Sequence, residues 1–413
     1  MKILFIHQNF PGQFLHLAPA MVKQGHEVHA LVMKKEAPTD WAGVRVHAYQ
    51  PTKGSTQGVH PWALDLETKI IRAESVFRKC LELKAQGLTP DVIVAHPGWG
   101  ESMFVKDVWP NAKVGLYCEL NYTETGNDVG FDPEFASQDP GDVCRLRLKN
   151  INNVMHYDIA DSAISPTHFQ ADTYPWPFRQ KIKVMHDGID TQLIKPNPSV
   201  AVQIKPGLTL KKSDEVITFV NRNLEPYRGY HVFMRALPKL LKERPNAHVL
   251  IVGADGVSYG KRPDGDTTWK QVFIDEVKPQ IDDNDWQRVH FIGTVPHNHF
   301  ISLLQLSTVH VYLTYPFVAS WSLLEAMSAG CAIVGSSTAP VEEFIEHDKH
   351  GLLNNFFDTD ALIANVSKLL DDPQKRTHLG QEARKKVQYY YDLHSVCLPK
   401  LVKWIDLLSH VRS

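Results

Sequence analysis

At 413 residues the chain is too long for one hydrophobic core and implies two domains of about 200 residues each. A formal net charge of −2, with 43% hydrophobic and 22% charged residues, fits an ordinary globular protein and argues against nucleic-acid binding, which asks for a basic excess. Cys80, Cys118, Cys144, Cys331 and Cys397 are odd in number and widely spaced, so they read as free thiols of a reducing compartment, and the 21 histidines show no zinc-ligand spacing.

The apolar start, residues 2–6, ends at His7-Gln8-Asn9 and reads as a first strand rather than a signal peptide. No run approaches the roughly 18 uncharged apolar residues that a membrane span needs. Further short apolar runs follow at 27–32, 44–48, 92–95, 114–118, 162–164 and 183–185, with helical stretches such as 14–24 and 61–85 between them. Strands alternating with helices predict a parallel α/β sheet, and ligands gather at the C-terminal edge of such a sheet. The proline-rich 196–212 stretch lacks helical periodicity and reads as a linker closing a first domain over 1–195.

The pattern then restarts, with strands at 216–220, 248–252, 289–292, 309–313 and 332–335 and helices at 230–243, 269–280, 299–306, 323–329 and 359–370. This predicts a second domain over 213–385. The helical tail from 374 to 412 is expected to cross back onto the first domain over 386–413. Two similar halves facing each other across a cleft are the expected architecture. Residues 119–142 and 255–268 are too long and polar for simple connections, a length more often functional than filler.

Two segments carry chemistry. Strand 309–313 feeds Tyr315-Pro316-Phe317-Val318-Ala319-Ser320-Trp321-Ser322 and a helix that holds one carboxylate, Glu325. Free backbone N–H groups and the helix dipole make such a start an anion site, and Glu325 is placed to accept hydrogen bonds from a ribose diol. Strand 216–220 runs into Asn221-Arg222-Asn223-Leu224-Glu225-Pro226-Tyr227-Arg228-Gly229, where two guanidinium groups suit a diphosphate. The alternative for Arg222 and Arg228 is a pair of solvated surface arginines.

These residues make the chain resemble glycosyltransferase family 4, the retaining, nucleotide-sugar-dependent enzymes with the two-Rossmann GT-B fold. Arg222 with Arg228-Gly229 is similar to the family's Arg…Lys-Gly segment. Glu325-Ala326-Met327 with Gly330 resembles the second half of its Glu-x7-Glu motif, and Asp187-Gly188-Ile189-Asp190 resembles its Asn-Gly-Val-Asp element. The match runs over nearly the whole chain in family order. One departure stands out: Phe317 occupies the position of the motif's first Glu, beside the transferred sugar, which puts sugar specificity in question.

The resemblance implies that Arg222 and Arg228 hold the donor diphosphate and Glu325 the ribose. It adds the amides of Ser320, Trp321 and Ser322, and Gly12 of the first loop, as further phosphate contacts. His96, directly after strand 92–95, would bind sugar or acceptor hydroxyls; Glu119 and Asp128 are candidates for the acceptor side. Asp132 and Glu134 share the loop with Asp128, where a solvated acidic face is the simpler reading. His96, Arg222, Arg228 and Glu325 are the catalytic candidates. Asp264-Gly265-Asp266 lies in a polar loop, so the arginines and helix dipole rather than Mg²⁺ are expected to neutralise the diphosphate. The implied reaction moves a hexose from a UDP- or GDP-sugar to a hydroxyl of a glycan, lipid-linked or small-molecule acceptor. Nucleic acid is excluded as a partner, the location is cytoplasmic, and contact with the inner membrane surface is left open. An epimerase or hydrolase of the same fold, or an inactive nucleotide-binding scaffold, are the rival readings.

Overall fold

The computed structural model describes residues 1–411 and divides into two units. The first contains Met1–Thr125, Ser137–Gly188 and the chain from His394 onward; the second contains Gly126–Ala136 and Ile189–Leu393.

In the first unit, strands β1 (Lys2–Ile6), β2 (Glu27–Met33), β3 (Asp40–Trp41), β4 (Val44–Tyr49), β5 (Val92–Ala95), β6 (Lys113–Tyr117), β7 (Ser162–Ser165) and β8 (Ile182–Val184) form one sheet in the order β3-β4-β2-β1-β5-β6-β7-β8. All neighbours run parallel except β3 with β4. Ile3, Leu4, Phe5 and Ile6 of the central strand are fully buried, which explains their unbroken apolar run: a parallel strand is covered on both faces. Helix Leu398–Ser409 covers one of those faces with Leu401, Trp404, Ile405 and Leu408. Trp404 Nε1 donates to Ser162 Oγ at 2.9 Å. A Cβ on Gly115 would stand 2.7 Å from Trp404 and Leu408, so the bare backbone of β6 is what admits this helix.

In the second unit β11 (Val216–Asn223), β12 (His248–Ala254), β13 (Val289–Gly293), β14 (Val309–Tyr312), β15 (Ala332–Ser336) and β16 (Leu352–Asn354) form an all-parallel sheet ordered β13-β12-β11-β14-β15-β16. The expected linker is corrected here. Residues 201–211 form an antiparallel hairpin, β9 (Ala201–Lys205) with β10 (Leu208–Lys211), whose Val202, Ile204 and Leu210 pack with Val216, Val220 and Leu303. The helical tail is also interrupted. Helix Pro373–Tyr390 stops before Asp392, a π-helical turn Leu393–Cys397 follows, and Leu398–Ser409 is a separate helix. Residues 412 and 413 of the expected tail lie outside those described.

Both sheets reverse their winding direction next to a central strand. In the first, the chain builds to one side of β1 and later returns to β5 on the other; in the second the same happens at β11 and β14. Such switch points open a crevice beyond the strand C-termini where loops diverge.

Candidate functional site

At the switch point of the second sheet, β11 runs into Leu224-Glu225 and a 3₁₀ turn, Pro226–Arg228, then Gly229 and helix Tyr230–Glu243. Gly229 has φ +68° and a Cβ there would meet Leu313 at 2.3 Å, so only glycine fits between the two loops. Glu225, 1% exposed, accepts backbone N–H bonds from Ser258 (3.1 Å), Tyr259 (3.3 Å) and Gly260 (3.5 Å). That carboxylate ties the long 255–268 loop to the end of β11.

Arg228 is buried, 6% exposed, which corrects the reading of two solvated arginines. Its Nη1 donates to Thr314 Oγ1 (2.8 Å) and to the Val318 carbonyl (2.9 Å), and its guanidinium lies 5.0 Å over the Tyr259 ring. Nε and Nη2 make no hydrogen bond among the described residues. Arg222 is exposed and likewise unpaired among them.

The loop after β14 leads into helix Trp321–Ser328. Ser320 is its N-cap: its Oγ accepts from the Ser322 N–H at 3.3 Å, and its own N–H donates to the Tyr312 hydroxyl at 2.8 Å. Two of the amides expected to face phosphate are thus engaged internally. Trp321 is exposed. One turn into the helix, Glu325 Oε1 accepts from His297 Nε2 at 2.8 Å, and this bond raises the His297 pKa. Phe317, 5% exposed, packs its ring 4.8 Å from Tyr259 and 5.7 Å from Tyr227.

Three histidines at strand C-termini of the first sheet, His7 and His96 at its switch point and His186 beyond the edge strand β8, repeat one local device. The Nδ1 atoms of His7, His96 and His186 each accept the N–H two residues on, from Asn9 (3.0 Å), Gly98 (3.1 Å) and Gly188 (3.0 Å). An accepting Nδ1 places the proton of the neutral ring on Nε2, so each offers a fixed Nε2–H donor. Burial first, then neighbouring His96, lowers the His7 pKa to about 4; burial alone lowers that of His186 to about 4. His7 Nε2 donates to Gln13 Oε1 at 2.6 Å. His96 is 2% exposed, stacks on Trp99 at 4.4 Å, and its Nε2 stands 3.5 Å from Glu119 Oε2, too far and misaligned to count as a hydrogen bond. Gly12, at φ +46°, passes so close that a Cβ would lie 2.3 Å from the His7 ring.

Gly12, His96 and Glu119 therefore share the first edge, and Arg222, Arg228, Ser320, Trp321, Ser322 and Glu325 the second. Asp128 does not join the first group. It belongs to the second unit, where its Oδ2 accepts from the Tyr227 hydroxyl at 2.9 Å. Nor are its loop neighbours a solvated acidic face. Asp132 is 3% exposed, and both Glu134 oxygens are taken by Arg235 at 2.6 and 2.8 Å. Asp132, Glu134 and His231 bring ligand-type atoms within 4.8 Å of one another, but the Arg235 guanidinium already neutralises Glu134. Asp264, by contrast, is solvated as expected, with a side chain 96% exposed.

Comparison with known proteins covers the chain in two blocks. A family described as "Glycosyl transferase family 4 group" matches residues 24–194, and one described as "Glycosyl transferases group 1" matches 203–386. An uncharacterized glycosyltransferase of Methanocaldococcus jannaschii is 24% identical over 96% of both chains. Among solved structures, sucrose-phosphate synthase from Thermosynechococcus elongatus superposes with a TM-score of 0.72 at 16% identity, over 99% of each chain. Anabaena HepE in complex with UDP and glucose gives a TM-score of 0.64 at 17% identity over 98% of each.

Proposed function

Since the chain belongs to the GT-B glycosyltransferases of the family 4 and group 1 type, we propose that it transfers a hexose, with retention, from a nucleoside-diphosphate sugar to a hydroxyl acceptor in glycan or glycoconjugate assembly. Arg228 carries this reading: a buried guanidinium is oriented by Thr314 and Val318 through Nη1 while Nε and Nη2 stay open at the switch point. Those donors, with the exposed Arg222 and the start of helix Trp321–Ser328, would cradle the diphosphate. Glu325 would exchange His297 for the ribose hydroxyls. HepE, a structural neighbour solved with UDP and glucose, supports a nucleotide-sugar donor.

The first unit would hold the acceptor and sugar. His96, whose Nδ1 is taken by the Gly98 N–H, would turn Nε2 to a hydroxyl, Glu119 would accept from another, and Gly12 would let the backbone approach a phosphate. By family analogy the departing β-phosphate takes the acceptor proton on the face it leaves, so the reaction asks for cations at the leaving group rather than a carboxylate nucleophile. No helix among the described residues is long and apolar enough to cross a membrane. Turnover of UDP- and GDP-hexoses by Arg228→Ala tests the assignment. A fall of about 10²–10³-fold is expected, the scale of a lost preorganised donor; unchanged turnover refutes it.

A further inference from the structure

Residues 126–136 belong to the second unit, although the chain on both sides of them belongs to the first. Here two aspartates are buried and aimed at two phenols. Asp128 Oδ2 takes the Tyr227 hydroxyl at 2.9 Å, and Asp132 Oδ2 takes the Tyr315 hydroxyl at 2.6 Å, with His231 Nε2 3.0 Å away but off the line of a hydrogen bond. Burying carboxylates is costly unless each is paired, so these pairs are unlike ordinary loop contacts. The segment is further fastened by Glu134 on Arg235, by Phe131 against Tyr315 (5.1 Å) and by Phe135 against Trp269 (5.2 Å).

The two phenols stand one on each side of the switch point. Tyr227 lies in the turn that carries Arg228, and Tyr315 follows Thr314, the residue that holds Arg228. Their rings touch at 4.7 Å, and the Tyr315 N–H donates to the Tyr227 carbonyl at 3.0 Å. The spacing of the two loops, and through it the direction of the Arg228 guanidinium, is therefore fixed at the hydroxyl ends by the aspartates.

We propose that Asp128 and Asp132 are positioning residues for the donor diphosphate, acting through Tyr227 and Tyr315 on Arg228. This rests on the reading of the second edge as the donor site. It predicts a loss confined to the phosphate that Arg228 reaches. Titration calorimetry on the full chain, with UDP and UMP (and GDP and GMP) as probes, separates the cases. In Tyr315→Phe, which removes one hydroxyl, the diphosphate should bind about tenfold more weakly, while the monophosphate changes less than twofold. Asp132→Asn and Asp128→Asn should do the same, and Asp128→Asn serves if another variant fails to fold. An equal loss for di- and monophosphate would mark general loosening and overturn the inference, as would no loss for either. If the unaltered protein binds none of the four nucleotides, the donor-site reading falls and takes this inference with it.

Discussion

Lowering the pH should destabilise the two units unequally. Six histidines have pKa values lowered to about 4, with burial the leading cause in each: His7, His47, His156 and His186 in the first unit, His290 and His310 in the second. In the unfolded chain a histidine titrates near 6.5. Between the two values the unfolded state binds the extra proton, so stability present above 6.5 is lost as pH falls toward 4. For a shift from 6.5 to 4, moving from pH 7 to pH 5 costs about 2 kcal/mol per histidine. The first unit then loses about 8 kcal/mol and the second about 4, against total stabilities of about 5–15 kcal/mol. At roughly 2–4 °C per kcal/mol for units of this size, the first unit's transition should fall by about 16–32 °C and the second's by about 8–16 °C. Differential scanning calorimetry at pH 7, 6 and 5 reads both. His156→Gln should lower the slope of the first unit's stability with pH by about a quarter, whatever it does to stability at pH 7. Equal shifts in the two transitions, or an unaltered slope in that variant, would refute the assignment of these rings as neutral.

Gly12→Ala forces an alanine to φ +46° with its Cβ inside the His7 ring, so a loss of about 1–3 kcal/mol is expected in chemical denaturation; a change below the error of the measurement would contradict it. Glu225→Ala removes the acceptor of three backbone N–H groups, and hydrogen exchange at residues 258–260 should accelerate at least tenfold while β12 is unaffected. The His297–Glu325 bond raises the histidine's pKa, so the pair is charged and locked below that value and loosens as pH rises through it. Donor affinity should therefore improve between pH 6 and 8, and His297→Ala should flatten the profile; a flat profile in the unaltered protein would contradict the exchange of His297 for ribose.

The parallel strands are legible in sequence because burial on both faces demands unbroken apolar runs, as in Ile3-Leu4-Phe5-Ile6. The β9–β10 hairpin is not. Its burial alternates residue by residue, its outward positions include Gln203, Lys205 and Lys211, and prolines flank it, so it looks like linker. Strand β16 is three residues long and leaves no periodicity to detect. The break in the tail follows from tertiary pairing, since Ile189 bonds the backbone at Tyr391 and Leu393 and draws the chain out of the helix there.

The candidate site divides the same way. Features whose partners lie within a few residues are readable: the Ser320 cap, the glycine after Arg228, and the His-x-Gly turns at His96 and His186. The aspartate anchors are not, because Asp128 and Tyr227 are 99 positions apart and Asp132 and Tyr315 are 183 apart. An acidic loop without visible partners looks solvated. Phe317 shows what that blindness costs. Taken alone it is a missing carboxylate. In the structure its neighbours are Tyr227 and Tyr259, and Arg228 lies over Tyr259, so the position is apolar because an aromatic set surrounds it. The carboxylates at this edge are committed, Glu225 to backbone amides and Asp132 to Tyr315. In Asp132 burial opposes the charge, but the His231 and Tyr315 side chains together hold its pKa below the usual range. Arg222, and Nε and Nη2 of Arg228, make no hydrogen bond among the described residues, and an edge that holds Glu225 and Asp132 in internal bonds while leaving these guanidinium donors open is suited to an anion.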